Sequence, residues 1–125
     1  MAFRLFRQVL PAVGTANGRR VLIYGAGDGG EMVLRELNNN PEWNYLPVGF
    51  IDDDPLKKDK VIHGLKVFDG NGRLSDICRQ KDIAEILISA RNMSPEQLKN
   101  VREICRENNV ILKRAQIKIE PVEFV

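Results

Sequence analysis

Gly25-x-Gly27-x-x-Gly30 is the pattern in this 125-residue chain that points most directly to chemistry. It follows Val21-Leu22-Ile23-Tyr24, a short continuous apolar run, and precedes a segment with helical spacing. In a turn that binds a dinucleotide each glycine has its own physical job. Gly25 permits the tight bend, Gly27 lets the backbone approach a pyrophosphate, and Gly30 lets the helix pack close to the strand. Bared amides across Gly25, Ala26, Gly27, Asp28, Gly29 and Gly30, together with the helix dipole, favour an anion there. Asp52 follows Gly30 by 22 residues, at the end of a second apolar run. A carboxylate at that place accepts hydrogen bonds from the ribose hydroxyls and repels a 2′-phosphate. The spacing therefore predicts a nucleotide site preferring NAD to NADP, with Asp53 adding negative charge beside it. Ser89, Ala90 and Arg91 open toward the same carboxyl edge, where α/β sheets bind ligands. Ser89 suits a hydrogen bond to phosphate or ribose, and Arg91 a charge-assisted pair with one.

Each of these residues also has a plainer reading. The glycines can serve packing alone, in an empty turn. Asp28 sits in the first helical turn, where its charge competes with a phosphate or simply caps the helix. Arg91-Asn92 can merely lead into the next helix. Lys57 and Lys58 either weaken the preference for NAD or only solvate their loop. His63, before Gly64, reads as a turn residue rather than a catalyst. Cys105 falls on an apolar helical stripe and reads as core, whereas Cys78 reads as partly exposed. Trp43 and Tyr45 read as a packing cap.

The elements that must position these groups alternate in type. The run 21–24 is a strand buried on both faces. A helix follows with Met32, Val33, Leu34 and Leu37 on its inner side, ending near Asn40-Pro41. Residues 47–52 form a second strand, 62–68 a kinked strand region, 74–81 a short helix and 85–90 a third apolar strand. Ser94-Pro95-Glu96-Gln97 carries the residues of a capping box with proline at N1. The helix behind it bears Leu98, Val101, Ile104 and Cys105. Residues 110–112 form a further strand, and 115–120 alternate as a half-exposed one. Strands alternating with helices predict a Rossmann-like α/β domain, a single parallel sheet flanked by helices, over residues 19–125.

At 43% hydrophobic and 29% charged the chain can build a core. Two cysteines 27 apart and one histidine exclude the familiar zinc frameworks and a disulfide-dense scaffold. Those counts suit a reducing, cytoplasmic compartment. The net charge of +2 hides an asymmetry. Residues 1–18 form a basic amphipathic leader and linker. With Arg19 and Arg20, residues 1–20 carry four arginines and no acid, while the remainder holds 15 basic and 17 acidic side chains. A body of that sign is a poor nucleic-acid binder.

Three stretches in order give a resemblance: residues 20–31, from Arg20 through the glycines to Glu31; Pro47-Val48-Gly49-Phe50-Ile51-Asp52-Asp53-Asp54-Pro55; and Ile62-His63-Gly64. Together they resemble the Rossmann-like, CoA-binding-like domain of membrane-bound polysaccharide-biosynthesis nucleoside-diphosphate-sugar epimerase/dehydratases. A similar module occurs in initiating sugar-phosphate transferases. The similarity covers about residues 19–115. Asp28 and His63 belong to that pattern, so neither marks special chemistry. The resemblance implies a module that follows membrane helices and precedes a catalytic domain. The basic leader then resembles a juxtamembrane segment on the cytoplasmic face. Neither Tyr24 nor Tyr45 has a lysine four residues on, so the Tyr-x-x-x-Lys pair of the family's dehydratases is missing.

The leading expectation is a non-catalytic module for a nucleotide, NAD first, with NADP, CoA or a UDP-sugar as alternatives. The other expectations are an NAD-dependent epimerase/dehydratase fragment, and a self-association module with an empty turn, forming a homodimer.

Overall fold

Val21, Leu22 and Ile23 have no solvent exposure. Only a central strand hides three successive side chains, because alternate residues then face two covered sides. In the computed structural model, which describes residues 18–89, 93–116 and 119–123, that strand is β1 (Arg19–Tyr24). After it come α1 (Asp28–Asn39), a 3-10 turn (Pro41–Trp43), β2 (Tyr45–Asp52) and a second 3-10 turn (Pro55–Lys57). Then follow β3 (Val61–Ile62), β4 (Leu65–Asp69), α2 (Leu74–Gln80), β5 (Glu85–Ile88), α3 (Pro95–Glu107) and β6 (Ile111–Arg114).

The sheet runs β3-β4-β2-β1-β5-β6. Every pairing is parallel except β3 with β4. This is the expected single-sheet Rossmann-like α/β architecture. Its core is split by the sheet. Leu22, Tyr24, Ile51, Ile86 and Ile88 pack on α2 and α3, through Leu74, Ile77, Val101 and Cys105. Val21, Ile23, Phe50 and Leu87 face the other side and meet Leu34 and Leu37 of α1.

Several boundaries differ from the sequence reading. β2 begins at Tyr45, two residues early, because Arg19 pairs with Tyr45. The region 62–68 is a hairpin whose turn residues His63 and Gly64 both have positive φ, 49° and 81°. That is the turn geometry that matches strand twist, so His63 is a turn residue as expected. Met32 is 43% exposed rather than inward, since α1 buries only Gly30, Leu34 and Leu37. Cys78, expected to be partly exposed, is buried, because α2 lays it on the sheet beside Leu74 and Ile77. Burial also pushes the Cys105 thiol up to about 12, with the neighbouring Cys78 adding to the effect. Among the described residues of the strand expected over 115–120, which are 115, 116, 119 and 120, none lies in a strand, and Ile119 is 92% exposed. The leader lies outside the described residues, apart from Gly18.

Candidate functional site

The glycine turn forms where β1 runs into α1. Gly25 has φ 116°, a conformation L side chains rarely adopt. Its N–H donates to the Ile51 carbonyl at 2.7 Å, which anchors the turn to β2. Gly30 lies against the Gly25 carbonyl so closely that a Cβ would overlap the oxygen. Gly29 stands 3.2 Å, measured from a Cβ built there, from the Ser89 carbonyl. Around Gly27 a built Cβ meets one atom, the Lys57 Nζ at 3.4 Å. Gly25 therefore bends the chain, Gly29 and Gly30 fit it to its neighbours, and Gly27 leaves open space.

Gly27 is also the N-cap of α1 and gives no side-chain cap. Asp28 does not cap this helix, contrary to one expectation from sequence: it is the first helical residue, exposed, and its carboxylate makes no cap bond. The first backbone bond of the helix is from Glu31 N–H to the Gly27 carbonyl. The amides just before it have no partner within the helix, as at any helix start. The other long helix is closed differently. Ser94 accepts from the Gln97 N–H at 3.1 Å, and Gln97 accepts from the Ser94 N–H at 3.1 Å.

Asp52 ends β2 beside the turn. Its Oδ2 accepts from Ala26 N–H at 2.8 Å and its Oδ1 from Asp54 N–H at 2.9 Å. Each oxygen keeps acceptor capacity after one bond. Asp53 points elsewhere. Its Oδ1 accepts from the Tyr24 hydroxyl at 2.7 Å and its Oδ2 from Gln97 Nε2 at 3.0 Å. It ties β1 to the start of α3. Ser89 follows β5 and donates through Oγ to the Tyr24 carbonyl at 3.0 Å. β1 continues to β2 on one side and pairs with β5 on the other. The turn and Ser89 thus flank the point where strand order reverses, the ligand position of open α/β sheets. Ala90 and Arg91 lie outside the described residues.

Tyr24 carries a pH signature. Burial first, and then the hydrogen bond to Asp53, raise its phenol above the ordinary 10.0. The folded chain keeps a proton that the unfolded chain loses, so this stability is present below about pH 10 and falls above it. Cys105 and Lys113 are raised too and act with the same sign. Tyr24→Phe should cost about 1 kcal/mol at neutral pH. It should also make the alkaline loss between about pH 8 and pH 11 shallower than in wild type. Urea unfolding at both pH values checks this. An unchanged slope would show that Tyr24 plays no part.

A groove of about 850 Å³ starts at Gly29 and Ser89 and runs along the α1 side of the sheet, past Leu87 to Trp43, Tyr45 and Lys113. Trp43 is 45% exposed, so it is only half a packing cap. Tyr45 carries the Arg19 guanidinium 4.6 Å over its ring. Below them Glu85 is buried and bridges Arg19 at 3.4 Å and Lys113 at 3.2 Å. In sequence Glu85 is only the start of an apolar strand, and nothing local marks its cluster with Arg19 and Lys113, whose members come from β1, β5 and β6. Lys57, for which the sequence allows either a weakened NAD preference or a solvated loop, has its Nζ 3.8 Å from Asp52 Oδ2. The signal for Lys57 was local: Asp54 before Pro55 is an N-cap followed by proline at N1.

The fold and this turn define a Rossmann-like domain with an open glycine loop. The chain belongs to the CoA-binding domain family, whose model matches residues 1–113. It is 33% identical over 94 residues to a probable polysaccharide biosynthesis protein, EpsC, of Bacillus subtilis. It is 27% identical over 95 residues to the capsular polysaccharide biosynthesis protein CapD of Staphylococcus aureus. Each match covers 75% of this chain and 16% of the relative, so the chain spans about a sixth of their length. Among solved structures, UDP-D-quinovosamine 4-dehydrogenase from Vibrio fischeri superposes with a TM-score of 0.66 at 26% identity. That match covers 76% of this chain and 75% of the other. RSP, a Rex-family repressor solved with β-NADH, superposes at 0.62 and 13% identity over 92% of this chain and 60% of RSP. The latter is a likeness of fold.

Proposed function

We propose that this domain binds a nucleotide carrying a pyrophosphate, NAD first, and that it does no chemistry of its own. The observation that carries the reading is the open space at Gly27 beside an Asp52 carboxylate tied to the same loop. A pyrophosphate fits against the Gly27 backbone, and the remaining lone pairs of Asp52 suit ribose hydroxyls. Ser89 stands beside the turn, its Oγ within hydrogen-bond reach of the Tyr24 and Gly25 carbonyls, and Arg91, outside the described residues, has the charge for a pair with a phosphate. When bound, NAD could supply hydride chemistry; the residues described here only hold and orient it. The β-NADH in RSP supports NAD; the alternatives are NADP, CoA, which the family's description supports, and a UDP-sugar, which the dehydrogenase's name supports. The polysaccharide-biosynthesis relatives support a role beside a glycan-precursor enzyme. The four arginines of residues 1–20 support a place at the cytoplasmic face of a membrane, with residues 1–18 as the lead-in. Among the described residues no helix is long and apolar enough to cross a membrane.

Calorimetric titration with NAD, NADP, CoA and UDP-sugars tests the reading. Binding of NAD is expected at micromolar to millimolar concentration, with NADP weaker. Silence from all of them at millimolar concentration would defeat it, and turnover of a UDP-sugar would defeat the non-catalytic part. A second reading, self-association, is favoured by one observation. The half-bare α1 face exposes Met32, Trp43 and Ile111. A dimer by light scattering, with no ligand effect on Tm, would favour it.

A further inference from the structure

For Lys57 the sequence allows two roles, weakening the preference for NAD or solvating its loop; the structure sets it beside Asp52. Asp54 accepts from the Leu56 N–H at 3.0 Å, and Pro55 fixes the first position of the 3-10 turn. The Lys57 N–H then donates to the Asp54 carbonyl at 3.0 Å. This turn folds residue 57 back over the end of β2. Its side chain is 32% exposed, and its Nζ lies 3.8 Å from Asp52 Oδ2. The same Nζ is the one atom near the side-chain position of Gly27. The ammonium therefore sits between the carboxylate proposed for the ribose and the backbone proposed for the pyrophosphate.

We infer that Lys57 is the counter-ion of the bound pyrophosphate, and that the site selects nucleotides with two linked phosphates and an unmodified ribose. This rests on the nucleotide-binding reading above. Its charge logic is local. A pyrophosphate arriving at Gly27 meets Asp28 in the first helical turn and Asp52 at the strand end, both repulsive. The Ala26 amide, one of the loop's donors, is already taken by Asp52. Helix-start dipoles alone must then hold a dianion among carboxylates. A lysine ammonium is a compact point charge on a flexible stem with three donors. From its place it can keep one donor toward Asp52 and turn another onto a phosphate oxygen. The nearness of Asp52 also argues against Lys57 as the reader of a 2′-phosphate, because that group would lie against the carboxylate.

The test measures NAD, ADP-ribose and NADP binding to wild type, Lys57→Ala and Lys57→Arg by calorimetry at low and high NaCl. Lys57→Ala should weaken NAD and ADP-ribose about tenfold and flatten the loss of affinity with salt, because a charge pair has gone. Lys57→Arg should restore most of the affinity. The alanine variant should melt within about 2 °C of wild type, since a partly exposed ion pair 3.8 Å long contributes little to stability. In an Asp52→Asn background the alanine change should still cost severalfold. If it costs nothing there, the lysine only shields Asp52 and the inference falls. It falls also if Lys57→Ala binds ADP-ribose as wild type does, or loses affinity for NADP alone. Wild type that binds none of the three removes the nucleotide reading itself; wild type that binds while the variants match it removes only the role of Lys57.

Discussion

Gly30→Ala should destabilise the domain by about 3 kcal/mol, lowering Tm by roughly 10 °C or preventing soluble expression. The added Cβ would occupy the space of the Gly25 carbonyl oxygen, and it would lie 3.3 Å from Cε1 of Phe50. Neither neighbour can yield cheaply. Gly25 is held at φ 116° by the turn, and its N–H is bonded to Ile51. Phe50 has no exposure and sits in the core beneath α1. Relief would need α1 to lift off the sheet, which would expose Leu34 and Leu37. Thermal melting by circular dichroism checks the expectation. A variant melting within about 2 °C of wild type would show that α1 can shift at little cost.

That result bears on what the sequence made legible. The strand–glycine–helix unit could be read because its determinants are adjacent. Val21 to Tyr24 are continuously apolar because both faces of β1 are covered. The glycine spacing reports a close contact between neighbours in sequence, Gly30 against the Gly25 carbonyl. The capping box at Ser94 and Gln97 and the turn at His63 and Gly64 are local in the same way. Arrangements that depend on sheet order were not legible. Glu85 gave no sign that Arg19 and Lys113, from strands on either side, would enclose it. Met32 has helical spacing suited to a buried face, yet it is 43% exposed on the groove that α1 leaves beside Lys113 of β6. Asp53 resembled a ligand residue because it follows Asp52. Its tie to Gln97, 44 positions on, is set by the return of α3 to the carboxyl edge. Lys57 lies between these cases. Its capped turn is local, but its target, Gly27, lies 30 residues earlier on another strand–helix junction.

Gly27→Val, by contrast, should leave the fold intact and cut NAD affinity more than a hundredfold. Gly27 has φ −93° and ψ −157°, extended backbone that valine adopts readily. A Cβ there meets the Lys57 Nζ at 3.4 Å, the movable end of a long side chain. Replacing glycine at an N-cap with valine costs about 1 kcal/mol at most. Nothing in the folded chain therefore requires glycine at this position, whereas Gly25 and Gly30 are required by a bend and a close contact. A ligand that presses its phosphates on the Gly27 backbone supplies the missing requirement, since a branched side chain would fill the space the phosphates need. Melting and calorimetry on the same sample separate the two glycines: Gly30→Ala loses stability, and Gly27→Val loses only the ligand. A valine variant that folds and still binds NAD like wild type would place the nucleotide away from this turn. The openness at Gly27 would then be a property of an empty loop.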